Sequence, residues 1–278
     1  MNRNLQTIFL VCVVAMWWLF GSALSAGSWT RDQWLMLIIA HVACLVVFYR
    51  FAYIFSYGYS LSMLGVSLWL MFQFRSLPAL LVGGLCAAYG LRLWQFVFAR
   101  HRARAARGDP DTNLQLHQRT PLVARVFIWI MVSWLMTFMG MTTWLVGTRA
   151  VMTPWIMSGA MVMLLGLGME AIADNQKQLA KATAPERWVD SGLFTRIRQA
   201  NYAGEILFQI GLMLAGTGAA VSAREYLLVW VAPIYVIMLM LFQATMLDQK
   251  QQTRYSNAPE YLAWRERSGS LLPFASAT

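Results

Sequence analysis

Apolar runs long enough to cross a bilayer recur along almost the whole of this chain, and no soluble fold accommodates them. Roughly 20 apolar residues span the hydrocarbon core at about 1.5 Å rise each. Eight stretches approach that length, at about 7–26, 34–55, 58–74, 78–99, 122–147, 153–173, 202–222 and 226–247. Hydrocarbon offers backbone groups no water, so such segments are expected to be helices that satisfy their own hydrogen bonds. A barrel would show short alternating segments instead. Composition agrees: 59% of the 278 residues are hydrophobic and 12% charged, against roughly 25% charged in soluble domains. The expected fold is an all-α integral membrane protein, a single polytopic domain with seven or eight transmembrane helices. Seven applies if the short third stretch, with Gly58 and Gly65, is re-entrant.

A net charge of +10 raises the question of nucleic acid, but its distribution points to topology. Arg100, Arg102, Arg104, Arg107 and Arg119 follow the fourth stretch. Lys177, Lys181, Arg187, Arg196 and Arg198 lie between the sixth and seventh, and Lys250, Arg254, Arg265 and Arg267 follow the eighth. With eight spans all these segments share one face, which the positive-inside rule makes cytoplasmic. Both termini are then cytoplasmic, and no nucleic-acid partner is expected. A compact chain with short loops suits a bacterial inner membrane, or the endoplasmic reticulum in a eukaryote.

The start, "MNRNLQTIFLVCVVAMWWLFGSALSAG", has the order of a signal peptide, but its apolar core is long and reads as a retained helix. Cys12, Cys44 and Cys86 fall in apolar stretches without metal-like spacing, and His41, His101 and His117 are scattered, so no metal is expected. Three cytoplasmic segments are long enough to have structure and to cap a pocket. Residues 100–120 extend the fourth helix and break at Gly108–Asp109–Pro110. Residues 174–201 extend the sixth and turn near Pro185. The tail carries "APEYLAWRERS", with Pro259 suited to a first helical turn and Tyr261 and Trp264 suited to an interfacial helix.

Ionisable groups inside spans are costly and mark function. Tyr89 and Arg92 lie one turn apart, and Arg92 sits about 10 Å inward of Arg100 at 1.5 Å per residue. Glu170 and Asp174, and then Asn201 and Glu205, are i,i+4 pairs, each on one helix face. All belong to the cytoplasmic half. They suit either an ion-pair network holding helix ends, with Arg92, Lys177 and Arg198 as counter-charges, or a pocket for a polar anionic cofactor beside a lipid-like substrate.

The stretch "GLFTRIRQANYAGEILFQIGLMLA" resembles the signature of the steroid 5α-reductase family. It carries Gly192–Leu193–Phe194, Ala200–Asn201–Tyr202, Gly204–Glu205–Ile206 and Ile210–Gly211 in the family's order. "CAAYGLRLWQFVFARHR" is similar to the family's tyrosine span, and "EYLAWRERSGSLLPF" to its closing segment. The likeness covers roughly residues 80–274, a reductase-like core, and is weak over residues 1–75. Related methyltransferases of the isoprenylcysteine type carry Arg-His-Pro-Asn-Tyr where this chain has Arg198–Gln199–Ala200–Asn201–Tyr202, a departure that favours the reductase branch.

The resemblance implies an NADPH-dependent reduction of an α,β-unsaturated ketone, a 3-oxo-Δ4 steroid or similar lipid entering from the membrane, by a monomer. Tyr89 is implied as the donor to the carbonyl. Asn201 and Glu205 would hold the nicotinamide–ribose portion, with Asp174, Arg187, Arg92, Glu170, Lys181 and Tyr202 around the cofactor. The family pairs its tyrosine with a glutamine–glutamate on the preceding helix. This chain has "YRFAYIFSYGYSLSM" there, where Ser56 and Tyr57 lie nearest by spacing and are the candidates to replace the acid. The alternatives are an S-adenosylmethionine-dependent methyltransferase of the same architecture and a non-catalytic lipid or sterol binder.

Overall fold

A computed structural model describes residues 3–108 and 111–273. Asp109 and Pro110 of the expected break, and Phe274 of the closing motif, lie outside them. Among the described residues the chain is helical, without named strands. Its helices are α1 (Arg3–Ser25), α2 (Arg31–Ala43), α3 (Val46–Tyr49), α4 (Tyr57–Phe74), α5 (Leu77–Ala106), α6 (Thr112–Arg119), α7 (Leu122–Met139), α8 (Met141–Arg149), α9 (Pro154–Thr183), α10 (Ala200–Thr217), α11 (Ala223–Tyr255) and α12 (Pro259–Arg267). Short 3₁₀ turns occupy Phe51–Phe55 and Gly192–Thr195.

Six segments among the described residues are long and apolar enough to cross a membrane: Leu5–Ser25, Arg31–Tyr49, Leu77–Ala106, Leu122–Arg149, Pro154–Thr183 and Ala223–Tyr255. The chain is thus a multi-pass membrane protein by helix length and composition. The other two expected spans are α4 and α10, continuous helices of 18 residues each. At 18 residues neither has apolar length to spare, and each has polar side chains spread along it: Ser60, Ser62 and Ser67 on α4, and Asn201, Glu205 and Gln209 on α10. The second expected span ends at Tyr49 rather than near residue 55: α2 gives way to α3 after Ala43, and Arg50 adopts an extended backbone before the 3₁₀ turn.

Local chemistry explains most boundaries. Thr30 and Gln33 form a capping box at the start of α2, which satisfies orphan N–H groups reciprocally. Asp111 caps α6 by accepting from the Leu114 N–H at 3.0 Å. Pro259 stands in the first turn of α12, where a missing N–H costs nothing. As the sequence predicts, α5 runs on through the arginines to Ala106, and α9 continues to Thr183.

The chain divides into two compact units. One comprises residues 12–160 and 212–233, the other residues 1–11, 161–211 and 234–278. In the first, α4 packs along α5, and α2 lies against both α4 and α7. The backbones of α4 and α5 come close at Gly90, where a Cβ would stand 2.6 Å from the Ser60 carbonyl oxygen and 2.8 Å from the Leu64 nitrogen. In the second unit, a cluster of Trp188, Tyr261 and Trp264 anchors α12. Tyr261 and Trp264 are buried, and the Trp264 indole donates to the Phe194 carbonyl at 3.0 Å. This corrects the interfacial reading of α12: its aromatic face is turned into protein, because a backbone acceptor and a tryptophan partner are available there.

Candidate functional site

In the second unit, α9 and α10 meet backbone to backbone. A Cβ on Gly166 would lie 2.4 Å from the Phe208 nitrogen, and one on Gly204 would lie 2.6 Å from the Glu170 nitrogen. The pairing of 166 with 208 and 170 with 204 is an antiparallel register that only glycine permits at this separation. Two polar stripes are brought together by it. Glu170, Asp174, Lys177 and Lys181 recur at i, i+4, i+7 and i+11 along α9, and Asn201, Glu205 and Gln209 at i, i+4 and i+8 along α10, each stripe on one face.

The stripes are buried where they are acidic. Glu170, Asp174 and Glu205 are 6%, 5% and 6% exposed, a degree at which a carboxylate must be hydrogen-bonded or charge-paired. Gln209, fully buried, donates from Nε2 to Glu205 Oε1 at 2.7 Å. That bond fixes the rotamer of the carboxylate. The buried Asn201 Oδ1 accepts no hydrogen bond from the described protein groups, so an acceptor is left for a ligand or water. Gln209 escaped the sequence reading, although its i+4 spacing from Glu205 was the available signal.

Towards the C-terminal end of α9 its stripe opens on a small basic cleft lined by Lys177, Lys181, Trp188, Phe194, Arg198 and Gln251, among others. The Trp188 Nε1 and Gln251 Oε1 atoms are buried and unmatched among the described residues. Lys181 donates to the carbonyls of Pro185, at 2.9 Å, and of Arg187, which braces the turn after α9. Its third hydrogen remains for the cleft. Arg187 is instead half-exposed, paired with Asp190 at 3.1 Å and stacked on Trp188.

The order of residues in the 192–202 stretch has a local cause at each end. Gly192 has φ +60°, and a Cβ there would stand 2.4 Å from the Gln176 side chain, whose Oε1 accepts from the Leu193 N–H at 2.9 Å. Only glycine satisfies both conditions. Arg198 is buried, forks onto Asp248 at 3.0 Å, and donates to the carbonyls of Arg265, at 3.1 Å, and Ser268. Gln199 donates to the other Asp248 oxygen at 2.9 Å. Backbone bonds join Arg198 to Gly269 and Gln199 to Ser270, so the tail segment is strapped onto the residues that start α10. Arg198, expected as a counter-charge for the span carboxylates, is thereby committed to Asp248, which no sequence spacing linked to it. Tyr202, half-buried, follows Asn201 on the first turn of α10.

The remaining candidates belong to the first unit. Tyr89 is 1% exposed; the Tyr59 ring meets it edge-on at 6.0 Å, and the Arg92 guanidinium lies 5.6 Å from its centroid. Ser56 donates to the Tyr53 carbonyl at 3.5 Å, and Tyr57 shares a 2.9 Å hydrogen bond with His101 Nδ1. Asn113 approaches the other His101 nitrogen at 3.5 Å. Sequence spacing pointed to Ser56 and Tyr57 beside Tyr89; the α4 residue in ring contact with it is Tyr59, two positions on.

No curated protein matches the chain, and no solved structure does. One family pattern matches residues 54–268, a range that begins upstream of the Tyr89 helix and takes in α4, both polar stripes and the tail strap. On that match, over well more than half its length, the chain belongs to the family described as protein of unknown function DUF1295.

Proposed function

We propose that the protein is a membrane-embedded, NADPH-dependent reductase of the C=C bond in an α,β-unsaturated ketone, related to the steroid 5α-reductases. The observation that carries the reading is the buried α9–α10 polar face: carboxylates and the Asn201 amide, with its unmatched oxygen, lead towards a basic cleft. A dinucleotide needs that sequence of chemistries, with acceptors for ribose hydroxyls and a carboxamide, then cations for phosphate. The unmatched Asn201 Oδ1, Trp188 Nε1 and Gln251 Oε1 fit such a ligand.

Glu205, oriented by Gln209, and Asn201 would accept from the nicotinamide–ribose portion. Asp174 and Glu170 extend that face, and Lys177 and Lys181 would hold phosphate. NADPH, when bound, would supply hydride to the β-carbon, and the α-carbon would take its proton from water. Tyr89 donates a hydrogen bond to the carbonyl oxygen, where enolate charge develops and such donation counts most. The substrate is a 3-oxo-Δ4 steroid or a comparable enone lipid reaching the site from the bilayer.

Eight crossings, with α4 and α10 included, suit this reading and the charge pattern together. With six alone, the segments after α5 and after α9 would fall on the face opposite the basic tail, against the positive-inside rule. Both termini are then cytoplasmic, on the side where NADPH is available.

The test is titration of detergent-purified protein with NADPH, followed by nicotinamide fluorescence, with NADH and S-adenosylmethionine as competitors. Saturable binding that prefers NADPH is expected. Binding of S-adenosylmethionine alone would move the protein to the methyltransferases, and binding of neither would leave a non-catalytic scaffold.

A further inference from the structure

A buried phenol acts as a donor only if its ring is held in one orientation, and the α4–α5 contact supplies that constraint. Gly90 brings α5 within 2.6 Å, measured from its virtual Cβ, of the Ser60 carbonyl oxygen, and within 3.2 Å of the Met63 side chain. The residues immediately before these, Tyr89 and Tyr59, are therefore set side by side by backbone contact. Their rings meet at 68°, the edge-to-face geometry preferred by aromatic quadrupoles. On the other element, Arg92 lies one turn along α5 with its guanidinium towards the Tyr89 ring, in cation–π range. Ser56 and Tyr57 point their hydroxyls elsewhere, to Tyr53 and His101.

We propose that Tyr59 is the positioning residue for Tyr89 in the reduction, its ring packed against the Tyr89 ring at 6.0 Å and 68°. The inference rests on the reductase reading for its catalytic consequence, and on the ring contact alone for its structural one. Tyr59 touches Tyr89 and acts through it.

Two measurements separate those parts. In protein labelled with 3-fluorotyrosine, the ¹⁹F resonance lost in Tyr89→Phe identifies that ring; Tyr59→Leu is expected to move it, and an unmoved resonance overturns the contact. Turnover is read as NADPH oxidation with a 3-oxo-Δ4 steroid as probe. Tyr59→Leu is expected to lower kcat about tenfold or more, since small misplacements of a reacting group are costly, with KM and NADPH affinity unchanged. Tyr59→Phe keeps the ring edge and is expected to retain the wild-type rate. Undiminished kcat in Tyr59→Leu, or a loss confined to KM, sinks the positioning role. If Tyr59→Leu does not fold, Tyr59→Met carries the same readouts. A wild-type protein that binds NADPH but reduces no probe counts against the reductase reading, while the ¹⁹F shift still decides the contact.

Discussion

Gly204 lies so close to Glu170 that a Cβ on it would stand 2.6 Å from the Glu170 nitrogen and 2.8 Å from its Cβ. This places the first turn of α10 directly against the acidic stripe of α9. The same packing that excludes lipid therefore assembles the candidate site. Gly204→Ala must push the helices apart, and overpacking of this kind costs on the order of 1–3 kcal/mol. A lowered Tm in detergent together with weakened NADPH binding is expected; an unchanged Tm would show that the helices are not in backbone contact.

Glu205→Gln tests the charge without removing the acceptor. The new amide oxygen still accepts from Gln209, so Tm is expected to hold. Hydrogen bonds to a charged group contribute roughly 1.5–3 kcal/mol, and NADPH affinity is expected to fall about tenfold or more. Fluorescence titration of the variant beside wild type reads both arms, and equal affinities would remove Glu205 from the cofactor site.

Arg198→Ala would leave Asp248 buried without its cation and free the carbonyls of Arg265 and Ser268. Breaking a buried pair from one side costs about 3–5 kcal/mol. Thermal unfolding should show a large loss, while Arg187→Ala, which removes an exposed pair with Asp190, should stay within about 1 kcal/mol. Comparable effects from the two would contradict the strap described for the tail.

Acid should loosen the 112–119 helix. His117 Nδ1 accepts from the Phe51 N–H at 3.1 Å, and Arg125 Nη1 lies 3.0 Å from Nε2. Burial, then the Arg125 and Arg50 charges, holds its pKa below the ordinary 6.5. Because the folded form resists protonation, docking is undiminished above about pH 6.5. It weakens as pH falls below that value, when the undocked histidine takes up a proton first. Amide exchange in 112–119 should rise from pH 7.5 to 5.5 in wild type and much less in His117→Asn.

How much of this was legible beforehand differs by element. The apolar runs determined helices, because backbone groups in hydrocarbon have no other partners, and the extensions of α5 and α9 followed from unbroken helical spacing through their charged ends. Gly192, Asn201 and Glu205 stood out because polar and glycine residues are conspicuous in an apolar chain. Tertiary structure alone decided which apolar and aromatic faces meet protein, since lipid-facing and buried surfaces are both apolar in a membrane. Tyr261 and Trp264 are the example: an amphipathic ring suits a headgroup layer and a protein pocket equally until a partner such as the Phe194 carbonyl is in reach. Arg198 found Asp248, 50 residues away, and Tyr59 rather than Ser56 or Tyr57 came against Tyr89. The first outcome turns on the tail folding back onto residues 198–199, the second on α4–α5 register set at Gly90, and neither is carried by one segment's own sequence.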